Sequence, residues 1–267
     1  MESTESQHAN TFIPYREQVL SALRSSMDDM RHVYEMTLFG SFASPRIQGE
    51  DQRTLPSDVG QNHPNPESDI DGCMYVEIDD LAKETDQDSQ SLYHQIPSGL
   101  SSPSPILQGT HLIHRSYEWE LKKDLEIEYR SKLSDLLAQK LGRKLPDYVV
   151  QDVSVFPISL DIINEELHLL EQNAQSLLSL QAPRDISHMA PPFPSKMLTG
   201  LFYYPVNDQR DHYRRYVLSR LKCMGKCGEL IWIGIAFQVS IFFSGDKNFS
   251  IPKTLNSALK TTKSWKL

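Results

Sequence analysis

Residues 68–76 read SDIDGCMYV, in which Asp69 and Asp71 stand on either side of Ile70 at the start of an apolar run. Side chains alternate between the two faces of a strand, so both carboxylates are expected on one face while Ile70 enters the core. Two carboxylates this close repel each other unless a cation lies between them, and oxygen ligands of this kind suit Mg²⁺. The stretch therefore predicts a strand over 70–78 that begins at a metal-binding pair.

A second strand, followed by a glycine and a serine, precedes this pair along the chain. Residues 33–39 contain β-branched and aromatic residues, and the run ends at Gly40 and Ser41. A glycine turn lets the backbone approach a ligand closely, and its amide hydrogens together with a hydroxyl suit an anion such as a triphosphate. We therefore expect Gly40 and Ser41 to form an anion-binding turn.

A single acidic residue, Asp161, lies in the apolar run ISLDII at 158–163. This run predicts a short strand, which follows the alternating strand predicted over 148–156. Burial of a lone carboxylate is costly without a partner or a metal ion. A compensating group is therefore expected beside Asp161.

These features follow one another in a distinctive order: a helix, a strand with Gly-Ser, an Asp-x-Asp strand and a strand with one acid. In this order the sequence resembles the nucleotidyltransferase superfamily related to DNA polymerase beta, over roughly residues 15–165. FGSF at 39–42 resembles the glycine-serine signature of that family, SDIDGCMYV its paired-aspartate strand, and ISLDIIN at 158–164 the strand of its third acid. The chain departs from the family pattern in the long polar segment of 27 residues between Ser41 and Asp69.

The resemblance implies a magnesium-dependent nucleotidyltransferase. Such an enzyme transfers a nucleoside monophosphate from a nucleoside triphosphate, expected here to be ATP, to a hydroxyl acceptor and releases pyrophosphate. The implied residues are Asp69, Asp71 and Asp161 as catalytic residues and ligands of two Mg²⁺ ions, and Gly40 and Ser41 as ligands of the triphosphate. Asp152, on the preceding predicted strand, is the alternative third acid.

Two other functions stay open at the level of the sequence. A protein of the same fold could be a catalytically inactive binding or scaffold protein, because a fold does not define an activity. An active enzyme could instead attach AMP to a partner protein. The acceptor is equally open between RNA, protein and a small molecule. The chain from Lys196 onward carries 12 Lys and Arg against 4 Asp and Glu, which suits a nucleic acid but also an ordinary helical face.

The remaining periodicity predicts an α/β (α+β) fold, with a small mixed sheet flanked by helices and a mainly helical C-terminal part. Helices are predicted over 15–31, from Tyr117 to Gly142, and from Leu167 to Leu178. The predicted organisation is a nucleotidyltransferase-like domain at 11–182, polar insertions at about 43–67 and 79–116, and a C-terminal region at 183–267.

Composition limits the cellular setting. The chain has 267 residues, 39% apolar residues and a net charge of −8, which argues against a disordered chain or one that coats nucleic acid electrostatically. Three cysteines are too few for a disulfide scaffold, and the N-terminus has no apolar leader. The apolar run 230–243 is shorter than a membrane span of about 20 residues. We therefore expect a cytoplasmic protein with no membrane partner.

Overall fold

Seven α-helices flank a four-stranded mixed sheet and a two-stranded antiparallel sheet in the computed structural model, which describes residues 5–42, 68–98, 116–180, 192–207 and 209–244. The predicted α+β class is confirmed. In chain order the elements are α1 Glu5–Asp29, β1 Val33–Leu38, β2 Gly72–Glu77, α2 Ile78–Thr85, β3 Tyr93–Ser98, β4 Ser116–Leu121, α3 Lys123–Leu141, β5 Val153–Ile158, α4 Leu160–Leu180, α5 Lys196–Gly200, β6 Tyr204–Pro205, α6 His212–Cys223 and α7 Lys226–Ser244.

The strand order of the larger sheet is β5-β2-β1-β6. β1 and β2 are antiparallel, with Leu38 opposite Gly72, whereas β2 and β5 are parallel, with Gly72 opposite Val153. The end of β1 and the beginnings of β2 and β5 therefore lie together at one end of the sheet. We call this end, marked by Leu38, Gly72 and Val153, the Gly72 end.

The two central strands form the middle of the core, because all six residues of β1 are buried. α1 packs on β1 and on α3 through an apolar stripe that includes Val19, Leu23 and Met27, all almost completely buried. On β1, Thr37 donates a hydrogen bond of 2.9 Å from its hydroxyl to the carbonyl of Gly200 at the end of α5. Helices α1 and α5 thus pack against β1.

The predicted strand over 158–163 is wrong, because α4 begins at Leu160. The Ser159 hydroxyl accepts a hydrogen bond of 3.2 Å from the Ile162 amide and so satisfies a free donor in the first turn of the helix. β5 instead continues to Ile158 through Pro157, which an edge strand tolerates since its free side needs no ladder hydrogen bond. The apolar run is therefore the end of a strand and the start of a helix.

Two further predictions differ from the structure. The segment 79–116, expected to be mostly loop, contains most of α2 and all of β3, while residues 43–67 and 99–115 lie outside the described residues. The helix predicted from Tyr117 is preceded by β4, which pairs with β3 in antiparallel register. β3 and β4 are strands because each pairs with the other. Pairing between separate segments cannot be predicted from the periodicity of either segment alone.

The described C-terminal part is mainly helical, and it packs on the sheet. Arg214 of α6 forms an ion pair of 2.6 Å with Glu35, which is fully buried in β1. β6 adds a short antiparallel strand to β1. The domain boundary predicted near residue 183 falls among residues outside the description. No helix in the described ranges, α7 included, is long and apolar enough to cross a membrane.

Candidate metal centre

Three aspartates meet at the Gly72 end of the sheet. Asp69, Asp71 and Asp152 each offer a carboxylate oxygen, and these three oxygens lie within 4.8 Å of one another. Asp71 directly precedes β2 and Asp152 directly precedes β5, so the parallel register of the two strands places these residues side by side. We call these three residues the aspartate triad.

Ile70 orients the first two members of the triad. Its side chain is 2% exposed, and its amide donates a hydrogen bond of 2.7 Å to the carbonyl of Val149. Asp69 and Asp71 are only partly buried. The expected alternation, with Ile70 in the core between the two acids, is therefore present, although β2 itself begins at Gly72 and not at Ile70.

The glycine turn lies directly against the triad. Gly40 begins a 3₁₀ turn, Gly40–Phe42, and has a φ of +65°, which favours glycine. A β-carbon at position 40 would overlap the Asp71 Oδ2 atom and lie 3.1 Å from its Cγ. The Phe39 amide also donates a hydrogen bond of 3.1 Å to the Asp71 carbonyl. Ser41 is the second residue of this turn, and its hydroxyl lies outside the described side chains.

The structure does not bring Asp161 to the triad. Asp161 is exposed in the first turn of α4, beyond the far end of β5, whereas Asp152 precedes the beginning of that strand. A strand of six residues spans about 20 Å, so the two carboxylates lie at opposite ends of the sheet. Near Asp161 is Asp79, whose pKa is raised by burial first and then by the charge of Asp161. The alternative third acid, Asp152, takes the place that was expected for Asp161.

A sequence signal for Asp152 did exist. Asp71 and Asp152 each stand immediately before an apolar run, GCMYV and VSVFP respectively. If two such runs pair in parallel, the residues before them become neighbours. Asp161 also needs no compensating metal, because it is solvated and an acid in the first turn of a helix interacts favourably with the helix dipole.

Burial, followed by repulsion between the carboxylates, disfavours the ionised form of Asp71. The pKa of Asp71 is raised from 3.8 to about 6, mainly by burial and then by the charges of Asp69 and Asp152. Among the described residues, none of the three acids forms an ion pair with a lysine, arginine or histidine. Clustered carboxylate oxygens that have no counter-ion in the described part of the chain fit a hard divalent cation such as Mg²⁺.

The raised pKa of Asp71 predicts a stability change that can be measured without an assay of activity. Because the pKa of Asp71 is higher in the folded state, the folded state binds a proton at Asp71 more tightly than the unfolded state does. Protonation of Asp71 therefore stabilises the fold, and this stabilisation is lost as pH rises from about 4 through about 6. We expect Asp71→Asn to increase the free energy of unfolding at pH 7 by about 1–2 kcal/mol, after allowance for solvent screening of a partly exposed group.

Urea unfolding in a metal-free buffer with chelator measures this change. The gain at pH 7 should shrink towards zero at pH 3.5, where Asp71 is mostly protonated in both states of the wild type. A variant that is less stable than the wild type at pH 7 would show that favourable contacts of the Asp71 carboxylate outweigh its burial and its repulsion by Asp69 and Asp152.

The chain matches no family model, no curated protein and no solved structure. The aspartate triad and the adjacent glycine turn are therefore the features that bear on function, since a fold class alone does not define an activity.

Proposed function

We propose that the chain is a divalent-metal-dependent nucleotidyltransferase, which uses the aspartate triad to bind Mg²⁺ and the Gly40–Phe42 turn to bind the phosphates of a nucleoside triphosphate. The observation that carries the proposal is that three carboxylates and a positive-φ glycine turn converge at one end of the sheet. Asp152 replaces Asp161 as the third acid in this proposal.

The donor set suits the metal ion that the reaction needs. Asp69, Asp71 and Asp152 supply only oxygen ligands, and their mutual repulsion would be relieved by a cation between them. Mg²⁺ bound there would stabilise negative charge on the phosphates and lower the pKa of an attacking hydroxyl. The close spacing of the carboxylates matters because the metal site needs all of its ligands at once.

The glycine turn supports a phosphate ligand beside the metal ligands. Gly40 has no side chain, so the backbone of the turn can approach Asp71 as closely as it does. Backbone amides of a tight turn can donate to phosphate oxygens. In the proposed complex the turn would hold the triphosphate, the triad would orient it through the metal, and the acceptor hydroxyl would attack the α-phosphorus.

The acceptor is left open, and the C-terminal residues do not decide it. Tyr213 packs edge-on against Tyr34 with ring centroids 4.7 Å apart, and Arg214 is engaged with Glu35. These contacts support a packing role for this part of α6, while Arg215 and Arg220 remain exposed. RNA, protein and small-molecule hydroxyls are all candidate acceptors.

A cytoplasmic location belongs to the proposal as well. The three cysteines of the chain, Cys73, Cys223 and Cys227, form no disulfide. This state is compatible with a reducing compartment, where nucleoside triphosphates and Mg²⁺ are also abundant.

The first test is binding of ATP to the purified chain by calorimetry, with Mg²⁺ and with chelator. We expect binding to be at least about tenfold tighter with Mg²⁺, because the acidic triad repels the phosphates when no cation is present. Absence of binding by any of the four triphosphates, with or without Mg²⁺, would contradict the proposal and favour a scaffold protein.

The second test identifies the acceptor. Each of the four triphosphates, labelled on the α-phosphate, is incubated with pooled RNA, pooled metabolites or lysate protein in the presence of Mg²⁺. Transfer of the label to a polypeptide would identify a protein-modifying enzyme, and transfer to RNA or a metabolite would identify the acceptor class. A chelator control distinguishes metal-dependent transfer from background.

A further inference from the structure

We infer that Arg16 is a positioning residue that fixes the phosphate-binding turn, an inference that rests on the proposed function. Arg16 lies on α1, far in sequence from the triad, and no pattern in the sequence singles it out. Its side chain is 17% exposed, and its guanidinium group donates two hydrogen bonds to the carbonyl of Phe42, from Nε at 3.1 Å and from Nη2 at 2.8 Å.

The two hydrogen bonds hold the downstream end of the turn. Phe42 is its last residue, and its ring is 1% exposed, at a centroid distance of 6.5 Å from the ring of Tyr15. At the upstream end, the Phe39 amide donates to the Asp71 carbonyl. The turn is thus held at one end by β2 and at the other by α1. Two donors in the fixed plane of a guanidinium restrict a carbonyl more than one flexible donor would.

Arg16 does not serve as the counter-ion of the triad. Its third nitrogen, Nη1, donates to Glu17 at 2.9 Å, and its guanidinium carbon lies 5.8 Å from the centroid of the Tyr204 ring. The charges that act on Asp71 are those of Asp69 and Asp152. Loss of Arg16 should therefore leave the metal ligands intact and change only the turn that binds the phosphates.

α1 provides a matched control for this residue. Arg24, about two helical turns further on, donates from Nε to the carbonyl of Val206 at 2.9 Å. It therefore makes the same kind of contact, from the same helix to a main-chain carbonyl, but not at the turn. A general loss of helix anchoring should appear in Arg24→Gln as well as in Arg16→Gln, whereas a specific effect on the turn should appear in Arg16→Gln alone.

The test compares Arg16→Gln, Arg16→Lys and Arg24→Gln with the wild type in three measurements. These are the affinity for Mn²⁺ alone by electron paramagnetic resonance, the affinity for ATP at saturating Mg²⁺ by calorimetry, and hydrogen exchange of the amides at 40–42. We expect Arg16→Gln to weaken ATP binding about tenfold or more and to accelerate exchange at 40–42, with Mn²⁺ affinity within about twofold of the wild type.

Arg16→Lys keeps one donor and should recover part of the ATP affinity, and Arg24→Gln should match the wild type in all three measurements. The inference is overturned if Arg16→Gln binds ATP as the wild type does, if it loses Mn²⁺ equally, or if Arg24→Gln shows the same loss. If the wild type binds no ATP, the proposed function is contradicted instead. In that case hydrogen exchange still tests the role of Arg16, and unchanged exchange at 40–42 in Arg16→Gln would reject it. If Arg16→Gln fails to fold, Arg16→Lys carries the same comparison.

Discussion

Asp152→Asn is expected to lower nucleotide transfer by about a thousandfold or more, whereas Asp161→Asn should leave it within about twofold of the wild type. The first substitution removes one of three clustered carboxylates and keeps the size of the side chain. The second changes an exposed residue at the opposite end of the sheet. Both effects are measured as steady-state rates of nucleotide transfer at saturating Mg²⁺, with the acceptor that the labelled triphosphates identify.

The two variants form a matched pair because each removes one negative charge from an exposed residue, Asp152 just before β5 and Asp161 in the first turn of the helix that follows it. A change in net charge alone would affect both equally. Asp69→Ala and Asp71→Ala should reproduce the loss seen in Asp152→Asn, and circular dichroism should show that all of these variants keep the fold. Loss in Asp161→Asn together with normal transfer in Asp152→Asn would contradict the triad and restore Asp161 as the third acid.

The sequence could predict those parts of the site whose geometry is set by residues adjacent along the chain. Alternation around Ile70 places Asp69 and Asp71 together, and a glycine at the end of a strand marks the turn at Gly40. Both features need only local geometry. The structure places the Gly40 turn against Asp71 at the Gly72 end.

The choice of the third acid depends on contacts that local patterns do not contain. The run at 158–163 is apolar enough for either a strand or a buried helix, and short apolar runs do not distinguish the two. The cap formed by Ser159 makes it a helix, which carries Asp161 away from the sheet end where β2 begins. Asp152 becomes a neighbour of Asp71 only through the parallel pairing of β2 with β5, across 80 residues of sequence between Gly72 and Val153.

No local pattern in the sequence predicts the contact between Arg16 and Phe42 that anchors the turn. Arg16 occupies an exposed-looking position in an amphipathic helix, and nothing in its surroundings predicts a contact with Phe42. The same holds for Arg214 and the buried Glu35, which pair across 179 residues. Contacts that long side chains make between elements depend on how those elements pack in the folded protein. Local sequence patterns therefore predict helices and strands better than they predict these contacts.

Gly40→Ala is the second substitution expected to have a large effect, with a loss of metal-dependent ATP binding of about a hundredfold or more. The new β-carbon would occupy the position of Asp71 Oδ2, so the carboxylate must rotate away or the turn must shift. Either response separates the turn from the triad. Because the end of an aspartate side chain can move, we expect the fold to survive while the site is lost.

Gly142→Ala separates this overlap from backbone strain. Gly142 ends α3 with the same φ of +65°, but a β-carbon there would meet no atom within 4 Å. Both variants should therefore lose about 1–2 kcal/mol of stability from the left-handed conformation, as measured by urea unfolding, because a side chain is strained there wherever it occurs. Only Gly40→Ala should also lose ATP and Mn²⁺ binding, since of the two glycines only Gly40 lies against a proposed metal ligand, Asp71. Equal binding in the two variants would mean that Asp71 keeps its position without the glycine, and the turn would then not be coupled to the metal centre.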